Sequence, residues 1–414
     1  MEKQFTIPAK GKSLNQVQEG LKAFKAMDTS DLKGKFTVYM HSGGEELESV
    51  RHAAYEIYNH SNAMLGNYEQ GVKQMQEEVL SMACHLLNGG DDARANITTG
   101  GTESIFCAVH AAREWAKENK PVPNVPEIVI PYSGHAAFDK ACHYQGLKIV
   151  RVAVGEDFRA DIGAMRKAVN ENTIAIVGSA PCWPYGVIDP ISALAEIALE
   201  HNLWFHVDCC VGGYINPWLE KLGYPIPLFD FRVKGVCSIS ADLHKHGYAA
   251  KPCSTVLYRN EMLQKYHWVE ICEWPCGSYK TNDFVGSRPA FSVASAWAVM
   301  NYLGEEGYTK LAKRSMEVKE KLIAGIESIA DLKCLCNDTI IVYYRSETLN
   351  MFSLIAAMVS RGYFPLGIFD PVFIQMTAEP VDDYVIEAYL KDLRDAVEDV
   401  KNGKVNEEIL AMYI

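Results

Sequence analysis

The sequence has no apolar run approaching the roughly 20 residues that cross a bilayer. Its apolar runs, such as 174–177, are far shorter, and the N-terminal segment MEKQFTIPAKGKSLNQ has no apolar signal core. No cluster of Lys and Arg is present, and the net charge is -12, which argues against a nucleic-acid partner. We therefore predict a cytoplasmic protein that acts on a small molecule and has neither a membrane nor a nucleic acid as partner.

Paired cysteine motifs are also absent. The 12 cysteines are scattered, and the close pairs 209/210, 272/276 and 334/336 do not have the C-x2-C spacing of a structural zinc site. Without a secretion signal, we expect free thiols and no metal site.

The chain is long enough for a large domain and a smaller one, with 414 residues of which 48% are hydrophobic and 22% charged. From residue 83 onward, short apolar strands alternate with helical patterns. This alternation predicts an α/β fold whose sheet is covered on both faces. The predicted strands are 127–130, 148–154, 173–179, 203–207, 236–241 and 254–258.

The pattern changes after residue 292. Long helices at 294–303 and 311–329 precede a strand at 339–345 and helices near 352–361 and 381–402, which together predict a smaller α+β domain. Amphipathic stretches at 17–27 and 47–58 predict surface helices in an N-terminal arm. The predicted organisation is an N-terminal arm with helices at 1–60, a cofactor-binding large domain at 61–291 and a C-terminal small domain at 292–414.

A lysine that directly follows a buried strand is the strongest chemical signal. Lys245 lies in SADLHKHG, residues 240–247. Burial makes the charged form of a lysine less favourable, and a neutral amine can form a Schiff base with an aldehyde. For this octapeptide alone, a surface-loop lysine is the alternative.

Two further signals suit the same chemistry. Asp208 ends an apolar strand, where a carboxylate is costly to bury unless a cation such as a protonated pyridine nitrogen neutralises it. Alone, such an aspartate is more often a helix or turn cap. The segment TTGGTES (98–104) opens a helix predicted to run to about residue 117, and its free N–H groups suit a phosphate, although Gly-Gly before a helix is common. The three signals together predict a pyridoxal 5'-phosphate (PLP) enzyme.

The chain resembles the group II PLP-dependent decarboxylase superfamily and, more closely, the sphingosine-1-phosphate lyases. Collinear motifs carry the resemblance: TTGGTES (98–104), PYSGHAAFDKA (131–141), GVIDPI (186–191), HVDCCVGG (206–213), FDFRVKGVCSISADLHKHGYAAK (229–251) and GSRP (286–289). It implies an α/β fold-type-I PLP-dependent transferase (aspartate aminotransferase-like) large domain with a mainly parallel sheet, followed by the smaller α+β domain.

The resemblance also implies roles for individual residues. Lys245 would form the Schiff base, Asp208 would pair with the pyridine nitrogen, and His135 would stack on the ring. The residues implied near the cofactor phosphate are Gly100, Gly101, Thr102, Ser240 and His244. The implied homodimer shares its active sites, because the loop with Gly286 and Ser287 would complete the neighbouring subunit's phosphate pocket. Tyr39 and Lys251 match positions that line the substrate end.

The sequence departs from the family at several positions. The family segment SNPLHPD, whose histidine helps to bind the substrate phosphate, is SNAMLGN here (61–67). Cys209 replaces the usual alanine, and Ala290 and Phe291 replace glycines. We also expect no hydrophobic N-terminal anchor of the kind that the eukaryotic lyases carry. These departures lead to the hypothesis of a smaller, more polar substrate than a long-chain sphingoid base phosphate.

The favoured function is a carbon–carbon lyase that cleaves a small amino compound, with or without a phosphate, by retro-aldol cleavage. An L-amino-acid decarboxylase is the alternative, since the cofactor alone does not choose which bond breaks. An aminotransferase would need an arginine clamp, for which Arg288 is the best candidate. A non-catalytic cofactor-binding or scaffold protein is disfavoured by the joint presence of Lys245, Asp208 and His135.

Overall fold

The computed structural model describes residues 7–28, 35, 41–64, 68–335 and 338–405. The helices are α1 (Leu14–Lys25), α2 (Glu45–Tyr58), α3 (Gln70–Leu86), α4 (Gly101–Asn119), α5 (Ala137–Gln145), α6 (Ile162–Ala168), α7 (Ile191–Glu200), α8 (Asn216–Lys221), α9 (Glu261–Gln264), α10 (Phe291–Glu327), α11 (Met351–Ser360) and α12 (Asp383–Lys401). The strands are β1 (Arg94–Thr98), β2 (Glu127–Pro131), β3 (Lys148–Val152), β4 (Thr173–Ser179), β5 (Trp204–Asp208), β6 (Val236–Ala241), β7 (Ser254–Tyr258), β8 (Val269–Ile271), β9 (Tyr279–Thr281), β10 (Lys333–Cys334), β11 (Ile341–Arg345), β12 (Leu366–Phe369) and β13 (Val372–Thr377).

A seven-stranded sheet with the order β1-β7-β6-β5-β4-β2-β3 forms the centre of the molecule. Within this sheet β7 runs antiparallel to both of its neighbours, while the remaining pairings are parallel. Successive residues of a strand point to opposite faces. Accordingly, Phe205 packs into one hydrophobic cluster and Trp204 into another. The predicted two-sided burial of a mainly parallel sheet is therefore confirmed.

A second, four-stranded antiparallel sheet follows in the C-terminal part, with the order β10-β11-β13-β12. Helices α11 and α12 pack against each other beside it, and α10 connects this layer to α2, α3 and α8. The predicted domain boundaries at 60/61 and 291/292 stay predictions; α10 begins at Phe291. In the described ranges, no helix combines the length and apolarity that crossing a membrane requires.

The predicted strands agree with β2 to β7 and β11 to within a few residues. The strands that were not predicted are β1, β8, β9, β10, β12 and β13. The helices expected at 294–303 and 311–329 form the single element α10, which is interrupted at Gly304 (φ 53°, ψ -172°). That backbone region is open almost only to glycine. The glycine between the two apolar stretches therefore lets the chain change direction without leaving the helical layer.

We predict that Gly304→Ala lowers the free energy of unfolding by about 1–3 kcal/mol, because alanine is strained in this conformation. No atom lies within 4 Å of an added Cβ, so a clash does not contribute. Gly20→Ala in α1 is the matched control, since its Cβ also meets open space and its φ is not positive. Denaturant unfolding should show equal or higher stability for Gly20→Ala. Equal stability of both variants would contradict the strain argument.

Candidate active site

The carboxyl ends of β1, β2, β4, β5 and β6 open onto one cavity of about 450 Å³. Strands that run in the same direction end at the same edge of a sheet, so the loops that follow them meet there. The residues that line the cavity are His41, Thr99, Gly100, Gly101, Thr102, Glu103, Ile105, His135, Pro181, Trp183, Asp208, Cys210, Val211, Asp242, His244, Lys245 and Lys251. Most of the predicted site residues are therefore brought together.

The Asp208 carboxylate is buried at the end of β5, with 7% of the residue exposed. The Cys210 N–H and the Ser240 hydroxyl both donate to its Oδ1, over 3.0 and 3.1 Å. Among the described residues, no Lys, Arg or His side chain forms an ion pair with this carboxylate. A buried carboxylate without a counter-charge is costly, and a protonated pyridine nitrogen would supply that charge.

A chain of hydrogen bonds leads to Asp208 through the interior of the sheet. The Trp204 indole donates to the Ser238 hydroxyl over 2.8 Å, and that hydroxyl lies 2.8 Å from His206 Nδ1. The other ring nitrogen, Nε2, lies 3.2 Å from Ser240 Oγ, which donates to Asp208. Burial lowers the pKa of His206 to about 4, so the imidazole is neutral. Every donor then has one acceptor, and the chain stabilises the negative charge on Asp208.

The second buried carboxylate, Asp242, holds Lys245. Lys245 Nζ lies 2.9 Å from Asp242 Oδ2, and the Ser254 hydroxyl donates to the other carboxylate oxygen. Burial lowers the pKa of Lys245, but the Asp242 carboxylate outweighs it, so the pKa is raised. Burial alone therefore does not decide the charge of the amine, because the ion pair opposes desolvation. The ion pair with Asp242 therefore favours the ammonium form of Lys245.

The predicted phosphate cradle lies at the N-terminus of α4. Gly101 is the first residue of α4, and the first-turn N–H groups of a helix have no partner within it. A Cβ at Gly101 would lie 2.7 Å from Cys210 Sγ and 2.9 Å from Asp242 Oδ2, so only glycine fits. A Cβ at Gly100 would lie 3.5 Å from the His244 ring. Backbone groups and the His244 imidazole are thus within reach of one anion.

Other predicted residues take different positions. His135 lines the cavity, and its Nδ1 accepts from the Ala137 N–H over 3.0 Å, which leaves its proton on Nε2. Lys251 also lines the cavity, and burial together with the nearby Lys245 charge lowers its pKa. Tyr39 lies outside the described residues.

Ser240 is placed differently from the implied phosphate contact. It is fully buried and does not belong to the cavity lining. The β5–β6 register pairs Ser240 with Asp208, so its hydroxyl points to that carboxylate. Ser240 therefore lies beside Asp208 in this structure and does not line the cavity at the N-terminus of α4.

The GSRP loop does not line the cavity of its own chain. Ser287 Oγ accepts from Asn62 Nδ2 over 3.2 Å, and a Cβ at Gly286 would lie 3.6 Å from Met64 Sδ. Arg288 forms an ion pair of 2.9 Å with Asp283. The loop thus packs on residues 61–64, and Arg288 has a structural partner.

Sequence reasoning assigned no role to His41, Trp183, His206, Ser238 or Asp242. A signal existed for His206 and Ser238, because polar residues recur at alternate positions of two strands that are otherwise apolar. Asp242 lies in the quoted lysine motif. His41 and Trp183 reach the cavity from loops, where no local periodicity marks them.

Comparison with known proteins agrees with this geometry. Residues 58–343 match the model of the pyridoxal-dependent decarboxylase conserved domain. The chain is 41% identical to the sphingosine-1-phosphate lyase of Arabidopsis thaliana over 95% of this chain and 74% of that protein. It is 39% identical to sphingosine-1-phosphate lyase 1 of Rattus norvegicus over 96% of this chain and 71% of that protein.

Solved structures show the same relationship. A sphingosine-1-phosphate lyase of Burkholderia pseudomallei superimposes with a TM-score of 0.91 at 32% identity, over 97% of this chain and 94% of that chain. A glutamate decarboxylase of Lactobacillus brevis, at 18% identity, shares the fold with a TM-score of 0.83, over 97% of this chain and 96% of that chain. The fold is therefore fold type I, as predicted. With Lys245, Asp208 and the α4 N-terminus assembled around one cavity, the chain belongs to the pyridoxal-dependent decarboxylase family and is a PLP-dependent lyase.

Proposed function

We propose that the chain breaks a carbon–carbon bond of a phosphorylated β-hydroxy amine by retro-aldol cleavage. The observation that carries this proposal is the positive charge of Lys251 in the cavity lining, in addition to the residues assigned to the cofactor. Asp242 is paired with Lys245, Asp208 suits the pyridine nitrogen, and the Glu103 carboxylate accepts from Thr99. Lys251 adds positive charge to the lining, which suits an anionic group of the substrate. The similarity to sphingosine-1-phosphate lyases supports the same reaction class.

The cofactor, when bound, holds the substrate amine and accepts the electron pair of the broken bond. The residues of the chain set the conditions for that chemistry. The Asp208 carboxylate favours a proton on the pyridine nitrogen, and the hydrogen-bond chain from Trp204 stabilises its charge. Asp242 Oδ2 lies 2.9 Å from Lys245 Nζ, within reach to hold or accept a proton of that nitrogen.

Decarboxylation or transamination of an amino acid fits the lining less well. Both reactions commonly use an arginine that pairs with a substrate carboxylate. In the described part of the chain, no arginine lines the cavity, and Arg288 is occupied by Asp283. Positive charge from a single lysine suits a phosphate as a point contact.

We predict that purified enzyme releases an aldehyde from phosphorylated β-hydroxy amines and no carbon dioxide from L-amino acids. The panel should pair a long-chain sphingoid base phosphate with a short-chain analogue, since a higher kcat/KM for the short one would support the smaller-substrate hypothesis. Lys251→Met should raise KM about tenfold or more and change kcat less, because a charged contact contributes about 1.5–3 kcal/mol to binding.

Lys234→Met is the matched control, because Lys234 is exposed and lies outside the cavity lining. Its kinetic constants should equal those of the unmodified enzyme. Carbon dioxide release from an amino acid, with no aldehyde from any phosphorylated amine, would contradict the retro-aldol proposal and favour the decarboxylase.

We also propose a homodimer with shared active sites. Gly286 and Ser287 are exposed and do not line the cavity of their own chain. Near them, large apolar side chains are exposed on and beside the β8–β9 hairpin, a feature typical of an interface. These side chains are Val269, Ile271, Trp274, Tyr279 and Phe284. Cytoplasmic location stays a prediction.

We predict that two inactive variants complement each other if the loop acts in the neighbouring subunit. One parent is Lys245→Ala, and the other combines Ser287→Ala with Arg288→Ala. Half of the randomly mixed dimers contain one site with an intact lysine and an intact loop, so activity should return to about a quarter of the unmodified level. Each parent incubated alone is the control. Subunit exchange shown by mass without any recovery of activity would place the loop's role within its own subunit.

A further inference from the structure

Two histidines and a glutamate from distant parts of the chain meet beside the catalytic cavity. His41 precedes α2, His246 follows Lys245 in the turn after β6, and Glu379 follows β13. Their side chains are 3%, 0% and 9% exposed, respectively. One ligand atom from each residue lies within 4.8 Å of the other two. The cluster therefore joins the N-terminal region, the lysine turn and the C-terminal sheet.

The hydrogen bonding of His246 directs the lone pair of its Nε2 at the Glu379 carboxylate. His246 Nδ1 lies 3.1 Å from the Val211 carbonyl oxygen and must donate to it. In a neutral imidazole Nε2 then carries no proton, yet it lies 3.5 Å from Glu379 Oε1. His246 Nε2 and Glu379 Oε2 are both buried without a hydrogen-bond partner. The oxygen that Nε2 faces, Glu379 Oε1, has His41 Nδ1 2.6 Å away, whereas Nε2 and Oε2 have no such partner. Positive charge beside Nε2 and the carboxylate would stabilise both unpartnered acceptors.

The distance between His246 and Glu379 favours a metal ion over a proton as that charge. A separation of 3.5 Å is too long for a strong charge-assisted hydrogen bond. Ligand atoms about 2.0–2.1 Å from a tetrahedral zinc ion lie about 3.3 Å apart, close to the His246–Glu379 distance. The His41 Nδ1 to Glu379 Oε1 distance of 2.6 Å would have to lengthen by roughly 0.7 Å.

We propose that His41, His246 and Glu379 bind one Zn²⁺ ion and that this ion ties the three segments together at the rim of the cavity. Two imidazoles and a carboxylate form a ligand set that zinc accepts, with water as the fourth ligand. The backbone bond of His246 Nδ1 is the second contact that metal-bound histidines usually make. The site is independent of the proposed reaction.

The expectation of no metal site rested on cysteine spacing, which does not bear on this cluster. His41 and Glu379 are 338 residues apart in the sequence, so no short motif joins them. Only the folded arrangement of arm, turn and second sheet brings the ligand atoms together.

The test is zinc binding to the PLP-loaded enzyme after removal of metal with a chelator. The unmodified protein should bind one Zn²⁺ per chain, measured by competition with a chromophoric chelator. Glu379→Gln and His246→Gln should each raise the zinc Kd at least tenfold. His85→Gln is the matched control, because His85 lies 3.4 Å from Asp91 on the surface but outside the cluster. It should leave the Kd unchanged.

X-ray absorption at the zinc edge of the unmodified enzyme covers the case in which a variant does not fold. The proposal expects only nitrogen and oxygen neighbours at about 2.0–2.2 Å, including imidazole. A sulfur shell at about 2.3 Å would place the metal on cysteines and overturn the proposal. No zinc uptake by the unmodified protein, or an unchanged Kd in folded cluster variants, would also overturn it.

Discussion

The burial of Asp208 is the constraint on which the site depends. Its carboxylate lies at the end of a strand inside the sheet, where an unbalanced charge is costly. The β5–β6 register brings Ser240 opposite this carboxylate, and two hydrogen bonds offset part of the cost. The rest of the cost would be offset by a cation that approaches the Asp208 carboxylate from the cavity. A cofactor whose ring nitrogen carries a proton supplies such a cation, and the same interaction makes the ring a better electron acceptor.

Asp242 is also a buried carboxylate, but its charge is balanced within the chain. It lies beyond β6, one strand away from Asp208, and it neutralises its charge with Lys245. The two buried carboxylates therefore have separate roles. Asp208 is suited to the ring nitrogen of the cofactor, and Asp242 forms an ion pair with Lys245 that orients the lysine side chain. The close approach of Gly101 to Asp242 and Cys210 brings the α4 N-terminus to the same place. Asp242 therefore lies next to both Lys245 and the N-terminus of α4, and it links the lysine to the backbone suited to an anion.

Sequence reasoning found what local patterns and contiguous motifs encode. The strands β2 to β7 follow from apolar runs, and Lys245, Asp208 and the 98–104 segment lie directly at strand or helix ends. The strand β1 was missed because its polar residues, Arg94 and Asn96, hide the apolar pattern.

Contacts between distant segments could not be predicted in this way. The placement of Ser240 depends on the register of two strands, and the raised pKa of Lys245 depends on the orientation of Asp242. The His41–Glu379 pair joins segments far apart in sequence.

The protonation state of the pyridine nitrogen tests the central claim most directly. Enzyme loaded with PLP that carries an isotope-labelled ring nitrogen should show a protonated nitrogen by nuclear magnetic resonance. In Asp208→Asn the cofactor should stay bound, but the nitrogen should lose its proton, since a neutral amide does not stabilise the pyridinium charge. A protonated nitrogen in both proteins, or a neutral one in the unmodified enzyme, would contradict the role assigned to Asp208.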